Sequence, residues 1–157
     1  MKRVLFLCTG NSCRSQLAEV LLNHYGKGQF VAQSAGSKPA GYVHPLALRI
    51  LERHGLPALG LRSKSWDEFR QERFDLVVTV CGNANETCPI WPGATKAHWG
   101  FADPAEAQGT DEQKLVVFER VFKQIQSRIQ EFVALPAELA PEEWARRVVA
   151  LGKQGSE

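Results

Sequence analysis

The run FDLVVTV, Phe74 to Val80, limits the fold of this chain more than any other stretch. A continuous apolar run dense in β-branched residues belongs to a strand covered on both faces, as strands in a parallel sheet are. The rest of the chain supplies strands and helices in the matching order. Lys2 to Leu7 is a strand-forming run that Gly10 breaks. From Arg14 to Tyr25, Leu17, Ala18, Leu21, Leu22 and Tyr25 trace a helical face that Gly26 and Gly28 end. Gln29 to Ala35 predicts a second strand, and Val43, Leu46, Ala47, Ile50 and Leu51 a second helix that stops before Gly55. A fourth strand is expected within Ala94 to Trp99. Thr110, with Gln113 three residues on, opens a long helix as a capping box, with a stripe of Phe118, Val121, Phe122, Ile125, Ile129 and Phe132. This order predicts an α/β fold: one three-layer sandwich with a central four-stranded parallel sheet, and ligands beyond the carboxyl ends of its strands. The domain is expected over residues 1–135. Residues 136–157 form a C-terminal extension with a short helix near Glu142 to Leu151 and a frayed polar end.

Between the first strand and first helix lies CTGNSCRS, Cys8 to Ser15. N–H groups at a helix N-terminus point outward at the positive end of its dipole. Gly10 allows a tight turn, so that the N–H groups of Thr9, Gly10, Asn11, Ser12, Cys13, Arg14 and Ser15 can converge on one oxyanion. Arg14 adds a planar fork of donors. Cys8 lies at the base of this cradle, where the same field is expected to lower its pKa and keep it a thiolate. Ser15 is expected to donate to that sulfur and Asn11 to brace the loop. The segment lacks the Gly-Lys-Ser/Thr ending of nucleotide phosphate loops. Asp103-Pro104, in a loop at the same sheet edge, is a candidate general acid for the departing oxygen.

The chain has four cysteines: Cys8, Cys13, Cys81 and Cys88. Met-Lys-Arg opens it like a signal peptide, but the apolar run to Cys8 is too short for export, so a cytoplasmic protein with reduced thiols is expected. No stretch approaches a membrane span, and the net charge of +2 implies neither nucleic acid nor an anionic membrane as first partner. Structural zinc favours cysteines two to four residues apart; the 8–13 and 81–88 spacings fit this poorly, and no metal site is expected. Two readings of Cys81 and Cys88 stay open. They are inert buried thiols, or Cys81 attacks a Cys8 adduct and Cys88 then attacks the resulting disulfide.

With these residues in view, the chain resembles the thioredoxin-coupled arsenate reductases built on the low-molecular-weight protein tyrosine phosphatase fold. The likeness runs from Lys2 to about Phe132 through LCTGNSCRSQ, SAG (Ser34 to Gly36), DLVVTVCGNANETCP (Asp75 to Pro89) and HWGFADPA (His98 to Ala105). It implies that Cys8 attacks arsenate held by the loop and Arg14 while Asp103 protonates the departing oxygen. Cys81 then releases arsenite by forming a Cys8–Cys81 disulfide, and Cys88 converts this to Cys81–Cys88, which thioredoxin or a glutaredoxin-type protein reduces. Cys13 has no redox task in that scheme. Phosphate is implied as a competing oxyanion, and a monomer is expected. The alternative is a phosphatase acting on tyrosine phosphate or small esters with Cys8, Arg14 and Asp103. Certain relatives bind potassium beside the loop, and Asn11, Glu19 and Ser34 match three contributors. The carboxylate expected near residues 63 to 65 is absent and Lys64 stands there, so an ammonium replaces the ion or the site is lost. No other cofactor is expected.

Overall fold

The computed structural model of the protein describes residues 1–153. Four strands, β1 (Lys2–Cys8), β2 (Phe30–Gly36), β3 (Leu76–Thr79) and β4 (Thr95–His98), form one sheet in the order β2-β1-β3-β4, every pair parallel. Val4 to Cys8 of β1 and all of β3 are buried, so both faces of the central strands are covered, as their unbroken apolar composition requires. The helices are α1 (Arg14–Tyr25), α2 (Pro45–Arg53), α3 (Gly82–Thr87), α4 (Asp111–Val133) and α5 (Pro141–Leu151). α4 packs on α1 and α2, and its buried residues include the whole expected stripe from Phe118 to Phe132. The Thr110–Gln113 capping box is present in both directions.

Several boundaries differ from expectation for identifiable reasons. β3 is shorter than the run Phe74 to Val80, although Asp75 and Val80 still hydrogen-bond to β1 beyond its ends; Phe74 sets its ring edge-on to Phe69 and Trp91. α2 starts at Pro45, with His44 Nδ1 accepting from Leu46 N, so Val43 lies outside it. The segment between Cys81 and Cys88 is helical. After Pro136 the chain returns to the domain: Trp144, Val148 and Leu151 are buried, and Trp99 Nε1 donates to Val148 O at 3.1 Å. The expected fraying of the polar end falls on residues 154–157, which lie outside the described residues.

The strand order positions the site. From β1 the chain crosses to β2 on one side, and β3 then lies on the other side of β1. This change of direction opens a crevice at the carboxyl ends of β1 and β3. Leu7 pairs with Thr79 and Val80 N donates to Leu7 O, so Cys8 and Cys81 leave the sheet side by side.

Candidate active site

The loop after β1 has its carbonyls tied outward and its N–H groups left inward. Ser37 N donates to Cys8 O (3.2 Å), Lys38 N to Thr9 O (2.9 Å), Ala40 N to Gly10 O (2.8 Å) and His44 N to Ser12 O (2.9 Å). Gln16 Nε2 takes Asn11 O, and Cys13 O accepts from Leu17 N in the first turn of α1. The N–H groups of Gly10 through Ser15 donate to no protein acceptor among the described hydrogen bonds. Buried donors without partners are costly, and an oxyanion would satisfy several at once. Asn11 adopts a left-handed φ of 48°, the one non-glycine residue to do so among those described. Its amide donates to Ser15 Oγ (2.8 Å) and Ser34 Oγ (3.0 Å), and its Oδ1 accepts from Lys64 N (3.0 Å). Ser15, expected to donate to Cys8, accepts from Asn11, and no bond from its hydroxyl to Cys8 is among the described hydrogen bonds. A Cβ at Gly36 would lie 2.5 Å from Thr9 O, so only glycine lets β2 approach the loop this closely.

Arg14 lies over the cradle. Its Nη1 donates to Phe101 O at 2.9 Å, its Nη2 stands 3.6 Å from Asp103 Oδ2, and its buried Nε has no protein partner. Asp103 caps a single 3-10 turn (Pro104–Glu106) through Oδ1 and Ala105 N, leaving Oδ2 toward the guanidinium.

Cys8 and Cys81 are both buried and leave paired strands side by side, close enough for their thiols to couple. This contact reverses the expected charge. Cys8 donates its proton to Cys81, and with burial this pushes its pKa far up, against the pull of Arg14 and of Thr9 N–H. Accepting that proton, with help from the Thr9 hydroxyl 3.3 Å away and Ala84 N–H, draws Cys81 down to about 5. Of the two sulfurs, Cys81 is therefore the one that favours the negative charge. That charge is lost as the pH falls through about 5. By linkage, the depression favours the folded state above the ordinary thiol pKa of 9.0, and this contribution fades as pH drops toward 5. Thiolate absorbance of the reduced protein is therefore expected to rise with a midpoint near pH 5. The step should vanish in Cys81→Ala, where Cys8, no longer donating to a thiolate, titrates lower than in the parent. An acid-side step that survives Cys81→Ala would place the charge on Cys8.

The other thiols differ. Cys13 is buried beside Ser12, and burial raises it to about 11. Cys88, at the far end of α3, is half-buried and donates to Pro89 O at 3.2 Å; burial raises its pKa. It opens onto a groove of about 200 Å³ with Val77, Trp91, Lys96 and the exposed Ile90. Among the described residues, no three His, Cys, Asp or Glu side chains gather as a metal site.

The structure thus brings together Cys8, Thr9 to Ser15, Cys81 and Asp103, and leaves Cys88 one helix away. Unforeseen were the Thr9 hydroxyl on Cys81, the Phe101 carbonyl on Arg14, and Thr79 and Lys96 anchoring α3 through Asn85. Backbone carbonyls carry no residue-type signal, and the other contacts are long-range.

Over residues 3–144 the chain matches the family described as low molecular weight phosphotyrosine protein phosphatase. It is 43% identical to the arsenate reductase of Halalkalibacterium halodurans and 42% to that of Bacillus subtilis, in each case over 83% of this chain and 94% of the relative. Among solved structures, an arsenate reductase in the phosphate binding state superposes with a TM-score of 0.73 at 32% identity, covering 85% of this chain and 98% of that one. A thioredoxin-dependent arsenate reductase of Corynebacterium glutamicum gives 0.65 at 31%, covering 85% of this chain and 60% of that one. A low molecular weight protein tyrosine phosphatase from T. tengcongensis, 23% identical, shares the fold, with a TM-score of 0.71 over 85% of this chain and 98% of that one.

Proposed function

The chain belongs to the low molecular weight phosphotyrosine protein phosphatase family, and we propose that within it the chain is an arsenate reductase working through Cys8, Cys81 and Cys88. One observation carries the reading: a second sulfur, Cys81, leaves the adjacent strand beside Cys8 and lies 3.3 Å from the Thr9 hydroxyl of the anion loop. In a hydrolase the cysteine adduct waits for water. Here a better nucleophile than water stands beside it.

The steps balance as follows. Arsenate dianion, HAsO4 with two negative charges, enters the cradle of N–H groups and Arg14. Cys8 sulfur bonds to arsenic, and the oxygen that departs leaves as water. Asp103 delivers the proton for that water and is recharged by the proton Cys8 gives up. Cys81 thiolate attacks Cys8 sulfur; the S–As electron pair passes to arsenic, which is reduced from As(V) to As(III). The trianion of arsenite takes up protons as it leaves, and a Cys8–Cys81 disulfide remains. Cys88 thiolate attacks Cys81 sulfur and expels Cys8 as thiolate, moving the disulfide to Cys81–Cys88 beside the groove. A dithiol protein of the thioredoxin type restores both thiols. Phosphate, near-isosteric with arsenate, competes for the loop.

The site is complete within one chain, so a monomer suffices. Four free cysteines fit a reducing, cytoplasmic setting, and no helix among the described residues is long and apolar enough to cross a membrane. Reduced protein with arsenate, thioredoxin, its reductase and NADPH is expected to oxidise NADPH in step with arsenite release, with phosphate competing. Hydrolysis of aryl phosphates without arsenate-dependent NADPH oxidation would make the chain a phosphatase instead.

A further inference from the structure

Beneath the anion loop lies a buried cation that the reaction above does not use. Lys64 is 8% exposed; its Nζ donates to Arg62 O at 3.1 Å and stands 3.8 Å from Glu19 Oε1. Glu19 accepts from Ser34 Oγ at 2.7 Å, Ser34 accepts from Asn11 Nδ2, and Asn11 Oδ1 accepts from Lys64 N. Lys64 O takes Gly36 N, and the neighbouring Ser63 Oγ donates to Gly10 O. These contacts form a closed circuit from Lys64 through Glu19, Ser34 and Asn11 back to Lys64. Its fourth member is the left-handed residue that sets the curvature of the loop.

The circuit is directional. The Ser34 hydroxyl gives its one proton to Glu19 and so presents a lone pair to Asn11. Glu19 is the acceptor in that order, and a carboxylate held largely out of water is stabilised by a compensating charge beside it. Lys64 supplies it. Burial lowers the Lys64 pKa, and Glu19 works against that by favouring the ammonium.

Potassium, which the family resemblance implies near Asn11, Glu19 and Ser34, does not fit this arrangement. Asn11 turns its NH2 toward Ser34 and spends its carbonyl oxygen on Lys64 N–H. A metal cation against Glu19 would meet the ammonium already there, leaving two buried positive charges on one carboxylate. We infer that the Lys64 ammonium is a built-in cation that holds the anion loop in its binding shape through Glu19, Ser34 and Asn11, so that this chain needs no bound potassium. Lys64 is a positioning residue. The inference rests on reading the loop as an oxyanion site.

Phosphate binding to the reduced protein, followed by calorimetry, tests this without any redox step. The parent is expected to bind phosphate equally in potassium, sodium and choline chloride at matched ionic strength. Lys64→Ala in choline should bind it about tenfold more weakly, within the usual range for coupling between neighbouring sites. Potassium or methylammonium, entering the vacated space, should recover most of the loss. Lys64→Gln, which fills the space without charge, should show the loss and no recovery. In arsenate turnover the Lys64→Ala defect should fall on KM and not on kcat, because the sulfurs stand apart from the circuit. Parent affinity that rises with potassium would overturn the inference. So would unchanged phosphate affinity in both variants, or a Lys64→Ala defect blind to every cation. Failure of the parent to bind any phosphate would instead remove the oxyanion site, and failure to reduce arsenate with the cation results intact would remove only the reductase reading.

Discussion

Cys88→Ser is expected to release a single equivalent of arsenite and then stop, with Cys8 and Cys81 locked as a disulfide that mass spectrometry would find after peptide mapping. Cys8 and Cys81 leave paired strands side by side, so the first disulfide does not require α3 to unwind. Without Cys88 that bond stays buried, out of reach of a protein reductant. The parent must move to pass it on. Along α3 the seven steps from Cys81 to Cys88 span about 10 Å at the helical rise, whereas disulfide-bonded Cα atoms lie about 5.5–6 Å apart. The helix has to unwind. It has only six residues and no side-chain N-cap, so unwinding costs little beyond releasing Asn85 from Thr79 and Lys96. Amides of residues 82–88 should lose hydrogen-exchange protection when the protein is oxidised. Undiminished steady-state turnover in Cys88→Ser would end the three-thiol relay.

Arg14→Lys is expected to lower kcat/KM for arsenate by about 10²- to 10³-fold, the scale of a lost donor to a transition-state oxyanion. The positive charge survives this change, so the loss reports geometry. Phe101 O holds one arm of the guanidinium, leaving the buried Nε without a protein partner and Nη2 facing Asp103. An ammonium on a flexible stem offers no such fork. Phosphate affinity should fall as well, because the same donors bind the ground state. A variant that keeps most of the parental kcat/KM would take the guanidinium out of the chemistry.

In the proposed relay the thiols also separate reduction from hydrolysis on a common scaffold. A phosphatase of the same fold needs a nucleophile, an arginine and an acid, and this chain has Cys8, Arg14 and Asp103 in those places. The addition is Cys81 at the end of the adjacent strand, where the sheet register alone brings it to Cys8.

Much of this was readable from short stretches of chain. Apolar runs such as FDLVVTV, the helical stripe of α4, the Thr110–Gln113 box and the cysteine loop each act through neighbours a few residues away, and the string of letters records those neighbours. The protonation of the sulfurs could not be read that way. A thiol in an anion loop reads as an anion from its own segment, yet the Cys8 pKa is pushed up by Cys81, a residue 72 positions past Thr9 that the Thr9 hydroxyl also meets, and by burial. The roles of Gly36, Ser15 and Lys64 were likewise settled by folding, which carried each of them out of water and against partners from other segments. Charge and hydrogen-bond order in a buried site follow from burial and through-space contact, and neither exists until the chain has closed around the loop.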